Sequence, residues 1–246
     1  MGKVPVTEQR QFGPLIKGWQ VPPAPDVMRL DGRWARLERL NPDAHAEDLF
    51  AANSQDERIW DYLPYGPFAD LASYRDWVAG WSQKTDPWFM AIIDRQTGRA
   101  GGVASYLRIT PDVGVIEVGH INLAPVLQGS RTATEAMFLM MEWVFAAGYR
   151  RYEWKCDAFN LPSRRAAARL GFSFEGIFRQ ATIVKGRNRD TAWFAMTDSD
   201  WPALRAAFAG WLAPENFTQT GQQKTALSDM TRPCLVNADP ALAGPV

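Results

Sequence analysis

The stretch from Val115 to Gly176 constrains the fold of this chain more than any other, because it predicts strand, loop, helix, strand, helix and strand in that order. The run Val115–Leu123 is apolar and rich in β-branched residues, and it ends before Pro125, which cannot donate a hydrogen bond to a sheet. Apolar residues then recur at three-and-four spacing to about Ala147. This spacing predicts a helix that is covered on more than one side.

The start of this helix is a candidate anion site. Thr132 and Glu135 are three residues apart and form the pattern of a capping box. The first turn of a helix has unpaired amides and carries about half a positive charge, so it binds phosphate well. The preceding loop adds the permanent cation Arg131. The residues 128–134 therefore predict a phosphate-bearing cofactor; the alternative is an ordinary capped helix after an exposed basic loop.

The second half of the stretch, from Arg151, bears on the choice between a cofactor site and an ordinary capped helix. Residues 151–157 alternate in the manner of a strand, and Asn160 is placed to cap a short helix that Gly171 closes. The chain then carries a set of spaced motifs: Asn160-x-x-Ser163-Arg164, Leu170-Gly171-Phe172, and Glu175-Gly176 followed by Arg179.

These motifs resemble the GNAT superfamily of acetyl-CoA-dependent N-acetyltransferases, and within it the group of Rim-type ribosomal-protein N-terminal acetyltransferases. The resemblance extends over about Arg33 to Thr197. It implies an α+β fold with a mixed, mostly antiparallel central sheet of about seven strands flanked by helices. An N-terminal arm and a C-terminal helix and tail would be additions to that fold.

The resemblance also implies acetyl-CoA as the cofactor. The family's phosphate loop, Gln/Arg-x-x-Gly-x-Gly/Ala, aligns with residues 128–133, and Arg131 stands where the central glycine is usual. Either the Arg131 side chain swings out and pairs with a phosphate, which we favour, or cofactor binding is weakened. The cofactor-binding residues implied are Asn122, Leu123, Gln128, Gly129, Ser130, Arg131, Thr132, Ala133, Thr134, Asn160 and Ser163.

The implied reaction is direct acetyl transfer to a primary amine in a ternary complex. A free α-amine, with a pKa of ~7.7–8.0, needs less help from a base at neutral pH than a lysine at ~10.4. Glu117 and His120 are the candidate bases, and Glu117 has the commoner base position in the family. Alternation places them on opposite faces of a strand, so both enter one cleft only if a bulge lies between them, for example at Gly119. The alternative for Glu117 is that it is not a base but a buried side chain bonded to a neighbouring loop.

The leaving thiolate requires a hydrogen-bond donor. Many members of the family use a tyrosine, but alignment on the Leu-Gly-Phe motif places Ala167 there. The resemblance to the Rim-type group implies Ser163 as the substitute donor and Asn160 as a ligand of the pantetheine arm; the alternative is that both only cap the helix.

The acceptor side is less well specified. Four aromatic residues and two prolines occupy residues 59–68, and the resemblance places this region at the wall of the acceptor cleft. The candidate substrate contacts are Trp60, Asp61, Tyr62, Tyr65 and Asp157. Equally, the aromatic residues could only cover the edge of the sheet. We interpret the cationic turn at residues 185–189 as solvated rather than as a phosphate contact.

Length and composition bound the remaining possibilities. The chain of 246 residues divides into an extended arm (1–25), the acetyltransferase-like domain (26–198), a helix (199–213) and a polar, proline-containing tail (214–246). Its 27 basic and 27 acidic residues give no surplus for binding nucleic acid. Two cysteines and two histidines predict no metal site. The absence of a signal peptide or long apolar run predicts a cytoplasmic protein without a membrane segment.

Three function classes follow: an N-acetyltransferase acting on a small amine or a peptide N-terminus, a non-catalytic coenzyme A-binding domain, and an interaction module. The C-terminal helix and tails are the candidate contacts of a homodimer.

Overall fold

The computed structural model of the protein describes residues 12–243. The first part of the predicted arm (1–11) and the end of the predicted tail (244–246) lie outside the described residues.

An eight-stranded sheet organises the molecule, with the strand order β1-β2-β3-β4-β5-β6-β8-β7. Neighbouring strands are antiparallel except β5 and β6, which are parallel. The strands are β1 Arg29–Asp31, β2 Ala35–Arg39, β3 Trp88–Asp94, β4 Ala100–Thr110, β5 Val115–Leu123, β6 Arg151–Asp157, β7 Ser173–Val184 and β8 Arg187–Thr197. The predicted mixed, mostly antiparallel sheet is confirmed; its eighth strand is the short β1, which the sequence analysis missed.

Helices cover both faces of this sheet. They are α1 Pro42–Asn53, α2 Leu71–Ser82, α3 Arg131–Ala146, α4 Leu161–Arg169, α5 Trp201–Leu212 and α6 Leu227–Thr231. The larger core lies between the sheet and α3, α4, α5 and α6. A smaller core lies under α1 and α2, against β3 and the beginning of β4. Because the smaller core stops at β4, the second face of β5, β6 and β8 faces a cleft.

The two parallel strands separate along their length. Their pairing runs from Val115–Arg151 to Val118–Trp154 and then stops, although β5 continues to Leu123 and β6 to Asp157. The carboxyl ends of both strands therefore line a gap in the middle of the sheet.

A bulge in β5 lies next to this gap. The register with β4 shifts by one residue between the pairs Val103–Asn122 and Ser105–Gly119, and His120 has a positive φ of 51°. A bulge re-aims the side chains on either side of it. The predicted bulge is confirmed, one residue after Gly119, and it brings Glu117 and His120 to the same cleft.

The predicted capping box at the start of α3 is wrong. Ser130 is the N-cap, and its hydroxyl accepts from the Ala133 amide at 3.0 Å. The Glu135 carboxylate instead accepts three amides of the β1–β2 connection, from residues 33–35, at 2.8, 2.6 and 2.6 Å. The Thr132 hydroxyl donates to Asp94. Contacts far along the chain therefore decide what these two side chains do.

The C-terminal segment packs on its own domain. Arg164 of α4 and Asp239 form a two-pronged ion pair with both side chains buried, at 2.7 and 2.6 Å. Leu227 and Thr231 are fully buried. The tail predicted as an appendage is thus, over residues 214–243, part of the folded unit and braces α4.

No helix within residues 12–243 has both the length and the apolar character needed to cross a bilayer.

Candidate active site

A cleft of about 1900 Å³ lies where β5 and β6 separate. One end lies at the start of α3, and the other lies between the loop after α1 and the β7–β8 hairpin. The gap in the sheet joins the two ends, so a long ligand could lie through it.

The first end offers unpaired backbone donors. The amides of Gly129, Arg131 and Thr132 have no acceptor among residues 12–243. Gly129 has φ 68°, and a Cβ there would meet no atom within 4 Å, so this turn leaves open space in front of the amides. The Gln128 side chain donates to the Leu123 carbonyl and holds the loop against β5. Unpaired amides at a helix start are suited to a phosphate.

Three arginines surround the same end. The Arg131 guanidinium lies over the rings of Trp34 and Phe217, with centroid distances of 5.2 and 4.7 Å. Arg165 and Arg169 line the cleft from α4. The Arg131 side chain therefore lies against these two rings, and its pairing with a phosphate stays a prediction.

These arginines have no acidic neighbour in the lining at this end. The carboxylates that line the cleft are Asp56, Asp61, Glu117 and Asp157, which belong to the other end or to the middle. The charge pattern is positive at the helix start and mixed elsewhere.

The middle of the cleft holds the predicted thiolate donor. Asn160 accepts the Ser163 amide at 3.1 Å, which confirms the predicted cap. The Trp154 indole donates to the Ser163 hydroxyl oxygen at 3.1 Å. This bond uses a lone pair of the oxygen and leaves the Ser163 O–H to donate elsewhere; the Cys156 thiol of β6 is one neighbouring acceptor. Asn122 also lines the cleft, and both polar atoms of its buried side chain lack a partner among residues 12–243.

Glu117 lies in a cluster of charges. Its buried carboxylate accepts from Arg108 at 2.7 Å and from Lys155 at 2.9 Å. Lys155 also contacts Glu153 at 2.8 Å and lies 3.6 Å from the centroid of the Trp193 ring. Both oxygens of Glu117 are therefore occupied by cations, and its observed contacts are those of a charge partner.

His120 lies in an aromatic pocket. Its ring stacks on Tyr65 with an interplanar angle of 12°, and Nδ1 is 3.1 Å from the Tyr65 hydroxyl. Burial lowers the pKa of His120 to about 4, with further contributions from the positive charges of Arg108 and Arg189. The imidazole is thus neutral at physiological pH.

The lowered pKa of His120 predicts an acid-dependent loss of stability. Between the ordinary value of 6.5 and about 4, the unfolded chain takes up a proton that the folded chain does not, so stability falls as the pH falls through this range. Between pH 7 and pH 4.5, the free energy of unfolding of the wild type should therefore fall by about 2 kcal/mol more than that of His120→Asn. Asparagine tolerates the positive φ. Urea denaturation at both pH values measures the difference.

The control for this prediction is internal, since the second histidine, His45, is present in both proteins. Equal pH dependence of the wild type and His120→Asn would contradict the assignment.

The predicted substrate residues fall into two groups. Asp61, Tyr62 and Asp157 line the cleft, and Tyr62 donates to the Phe159 carbonyl at 3.3 Å across it. Trp60 is buried in an aromatic cluster, and neither it nor Tyr65 lines the cleft. The contacts of Trp60 agree with the alternative prediction, in which the aromatic residues only cover the sheet. Tyr65 instead supports His120.

The β7–β8 hairpin forms a wall of the cleft that was not predicted from the sequence. Phe178, Arg189 and Trp193 line it, and the Phe178 and Trp193 rings stack at 4.4 Å. Lys185 at the tip donates to the Trp60 carbonyl at 2.8 Å and bridges the cleft. The predicted solvated turn is therefore wrong for Arg189, whereas Lys185 and Arg187 are exposed. Strand alternation puts Arg189, Thr191 and Trp193 on one face, and this pattern in the sequence could have indicated that they line a common surface.

Comparison with known proteins places this geometry in a family. The model of the acetyltransferase (GNAT) domain matches residues 35–173. A crystal structure of a GCN5-related N-acetyltransferase from Brucella melitensis is 48% identical, covers 88% of this chain and 100% of its own, and superposes with a TM-score of 0.86.

Two more distant relatives are also described as acetyltransferases. An uncharacterized N-acetyltransferase, p20, from Bacillus licheniformis is 25% identical over 170 residues, which are 68% of this chain and 95% of p20. A RimL ribosomal L7/L12 α-N-protein acetyltransferase has the same fold, with a TM-score of 0.60 at 21% identity over 69% of this chain and 93% of its own. The resemblance to GNAT acetyltransferases stated from the sequence is confirmed, and the Rim-type structure shares the fold.

Proposed function

Since the chain belongs to the GNAT acetyltransferase family, we propose that it is an acetyl-CoA-dependent N-acetyltransferase whose acceptor is a primary amine of a small molecule or a peptide N-terminus. One observation carries the proposal: a positively charged site of unpaired amides opens, through the gap between β5 and β6, onto Ser163 and His120.

The residues present fit coenzyme A. The amides of Gly129, Arg131 and Thr132 would hold the diphosphate, and Arg131, Arg165 and Arg169 would balance its charge. Asn122 and Asn160 would bind the amide groups of the pantetheine arm, because Asn122 has unpartnered polar atoms and Asn160 lines the same channel. Bound acetyl-CoA would supply the thioester whose acetyl group is transferred.

The side chains in the middle of the cleft would handle the protons. Ser163, oriented by the Trp154 indole, would donate its proton toward the leaving thiolate. His120 would donate its Nδ1–H to the Tyr65 oxygen and keep Nε2 unprotonated, ready to receive a proton from the amine. With a lowered pKa this is a weak base, which suits an α-amine better than a lysine side chain. Glu117 would hold Arg108 and Lys155 in place.

The test combines binding with turnover. Calorimetry with coenzyme A should show binding, and thiol release from acetyl-CoA should rise when an amine acceptor is added. Binding without thiol release across α-amines, polyamines and peptide N-termini would favour the non-catalytic coenzyme A-binding domain. Absence of binding would refute both functions.

A substitution tests the placement of Arg131. Because Arg131 lines the same end of the cleft as the unpaired amides, we expect Arg131→Gln to weaken coenzyme A binding by about tenfold and to reduce the salt dependence of binding. Isothermal titration at two salt concentrations measures both. Arg205→Gln is the matched control, since Arg205 pairs with Glu142 and does not line the cleft. Unchanged affinity in Arg131→Gln would exclude a phosphate contact.

A further inference from the structure

We propose that the acceptor of this enzyme is an amine that also carries a carboxylate, and that Arg189 on β8 binds this carboxylate. The inference rests on the proposed acetyl transfer and adds the class of acceptor.

Arg189 faces the acceptor end of the cleft. It lies on the same face of β8 as Thr191 and Trp193, and all three line the cleft beyond the gap in the sheet. His120, the candidate base, lines the same cleft. A group bound by Arg189 would thus be near the reacting amine.

Arg189 differs from the other cations that line this end of the cleft because it has no anionic partner among the described residues. Arg58 pairs with Asp56, and Arg108 and Lys155 both pair with Glu117. Among residues 12–243, no ion pair involves Arg189, and its Nε is buried without an acceptor. A partly buried guanidinium without a partner is costly, and its planar fork matches a carboxylate. The missing partner is therefore expected from the substrate.

The opposite charge lies next to it. Asp157 of β6 pairs in register with Thr191, so Arg189 is its diagonal neighbour on the same face of the sheet. The two side chains form no ion pair with each other, and both line the cleft. One Asp157 oxygen accepts the Phe159 amide, which orients the carboxylate. Asp157 can attract the ammonium form of an amine while Arg189 binds its carboxylate.

The two charges together select an acceptor with both groups. A free amino acid has this chemistry, and so does a peptide whose N-terminal amine is followed by an acidic side chain. A simple polyamine does not, because it would bring a further cation next to Arg189.

The experiment compares matched acceptors. Initial rates of thiol release are measured for free alanine and alaninamide, which differ only in the α-carboxylate, and for the amidated peptides Ser-Glu-Ala and Ser-Gln-Ala. We expect kcat/KM to be about 10- to 100-fold higher for the carboxylate member of at least one pair, mainly through KM. The pair that shows the preference identifies the source of the carboxylate.

Variants assign the preference to one residue. Arg189→Gln should abolish the discrimination by weakening only the carboxylate acceptor, and Arg189→Lys should restore part of it. Arg187→Gln is the control, because Arg187 is exposed at the hairpin tip and does not line the cleft. Unchanged coenzyme A affinity in Arg189→Gln would show that the fold and the cofactor site are intact.

The outcomes separate this inference from the proposed function. Acetylation of amines without preference for a carboxylate, or an equal loss for both acceptors in Arg189→Gln, would overturn the role of Arg189 and leave acetyl transfer standing. Failure to acetylate any amine despite coenzyme A binding would refute acetyl transfer and this inference with it.

Discussion

Ser163→Ala is expected to lower kcat for acetyl transfer by about 100-fold, the lower range for loss of a general acid. The hydroxyl lies in the middle of the cleft, and the Trp154 indole donates to its oxygen. Coenzyme A affinity should change little, because the Asn160 cap of α4 accepts the backbone amide at position 163 and stays in place. Steady-state kinetics together with calorimetry separates the two effects.

Trp154→Phe is the matched variant for this prediction. It keeps the Ser163 hydroxyl but removes the bond that orients it, so we expect a smaller loss of about tenfold in kcat. A kcat for Ser163→Ala within threefold of the wild type would rule out Ser163 as the proton donor.

Asp239→Ala should produce the largest loss of stability, about 3–5 kcal/mol. The substitution leaves the buried guanidinium of Arg164 without its charge partner; the carbonyl of Ala158 remains as an acceptor. Arg164 directly follows Ser163, so α4 and the cleft should loosen together. Urea denaturation measures the free energy of unfolding, and coenzyme A affinity reports on the cleft.

Two controls accompany this prediction. Asp229→Ala removes an exposed carboxylate from the same tail and should cost less than 1 kcal/mol. The double variant Arg164→Met/Asp239→Leu should recover most of the lost stability, since apolar side chains can replace a buried ion pair. A loss below 1 kcal/mol in Asp239→Ala would mean that the tail does not brace α4.

Local patterns in the sequence were enough to predict most of the fold and part of the site. The helical spacing before Gly148, the strand alternation of residues 151–157 and the Asn160 cap each depend on neighbours within a few residues. Such signals are read directly from the chain, because the periods of helices and strands and the geometry of caps are local. The candidate anion site at residues 128–134 was predicted from the same kind of signal, whereas the role of Ser163 was implied by the resemblance to the Rim-type group.

Only the tertiary structure decided which charges are paired and which face the cleft. Glu135 bonds amides about a hundred residues away, Glu117 shares its carboxylate between Arg108 and Lys155, and Lys185 reaches Trp60. No local period encodes such pairs, because they form only when burial of distant apolar surfaces brings the elements together. For the same reason the unpaired Arg189 was indistinguishable in the sequence from the exposed cations beside it.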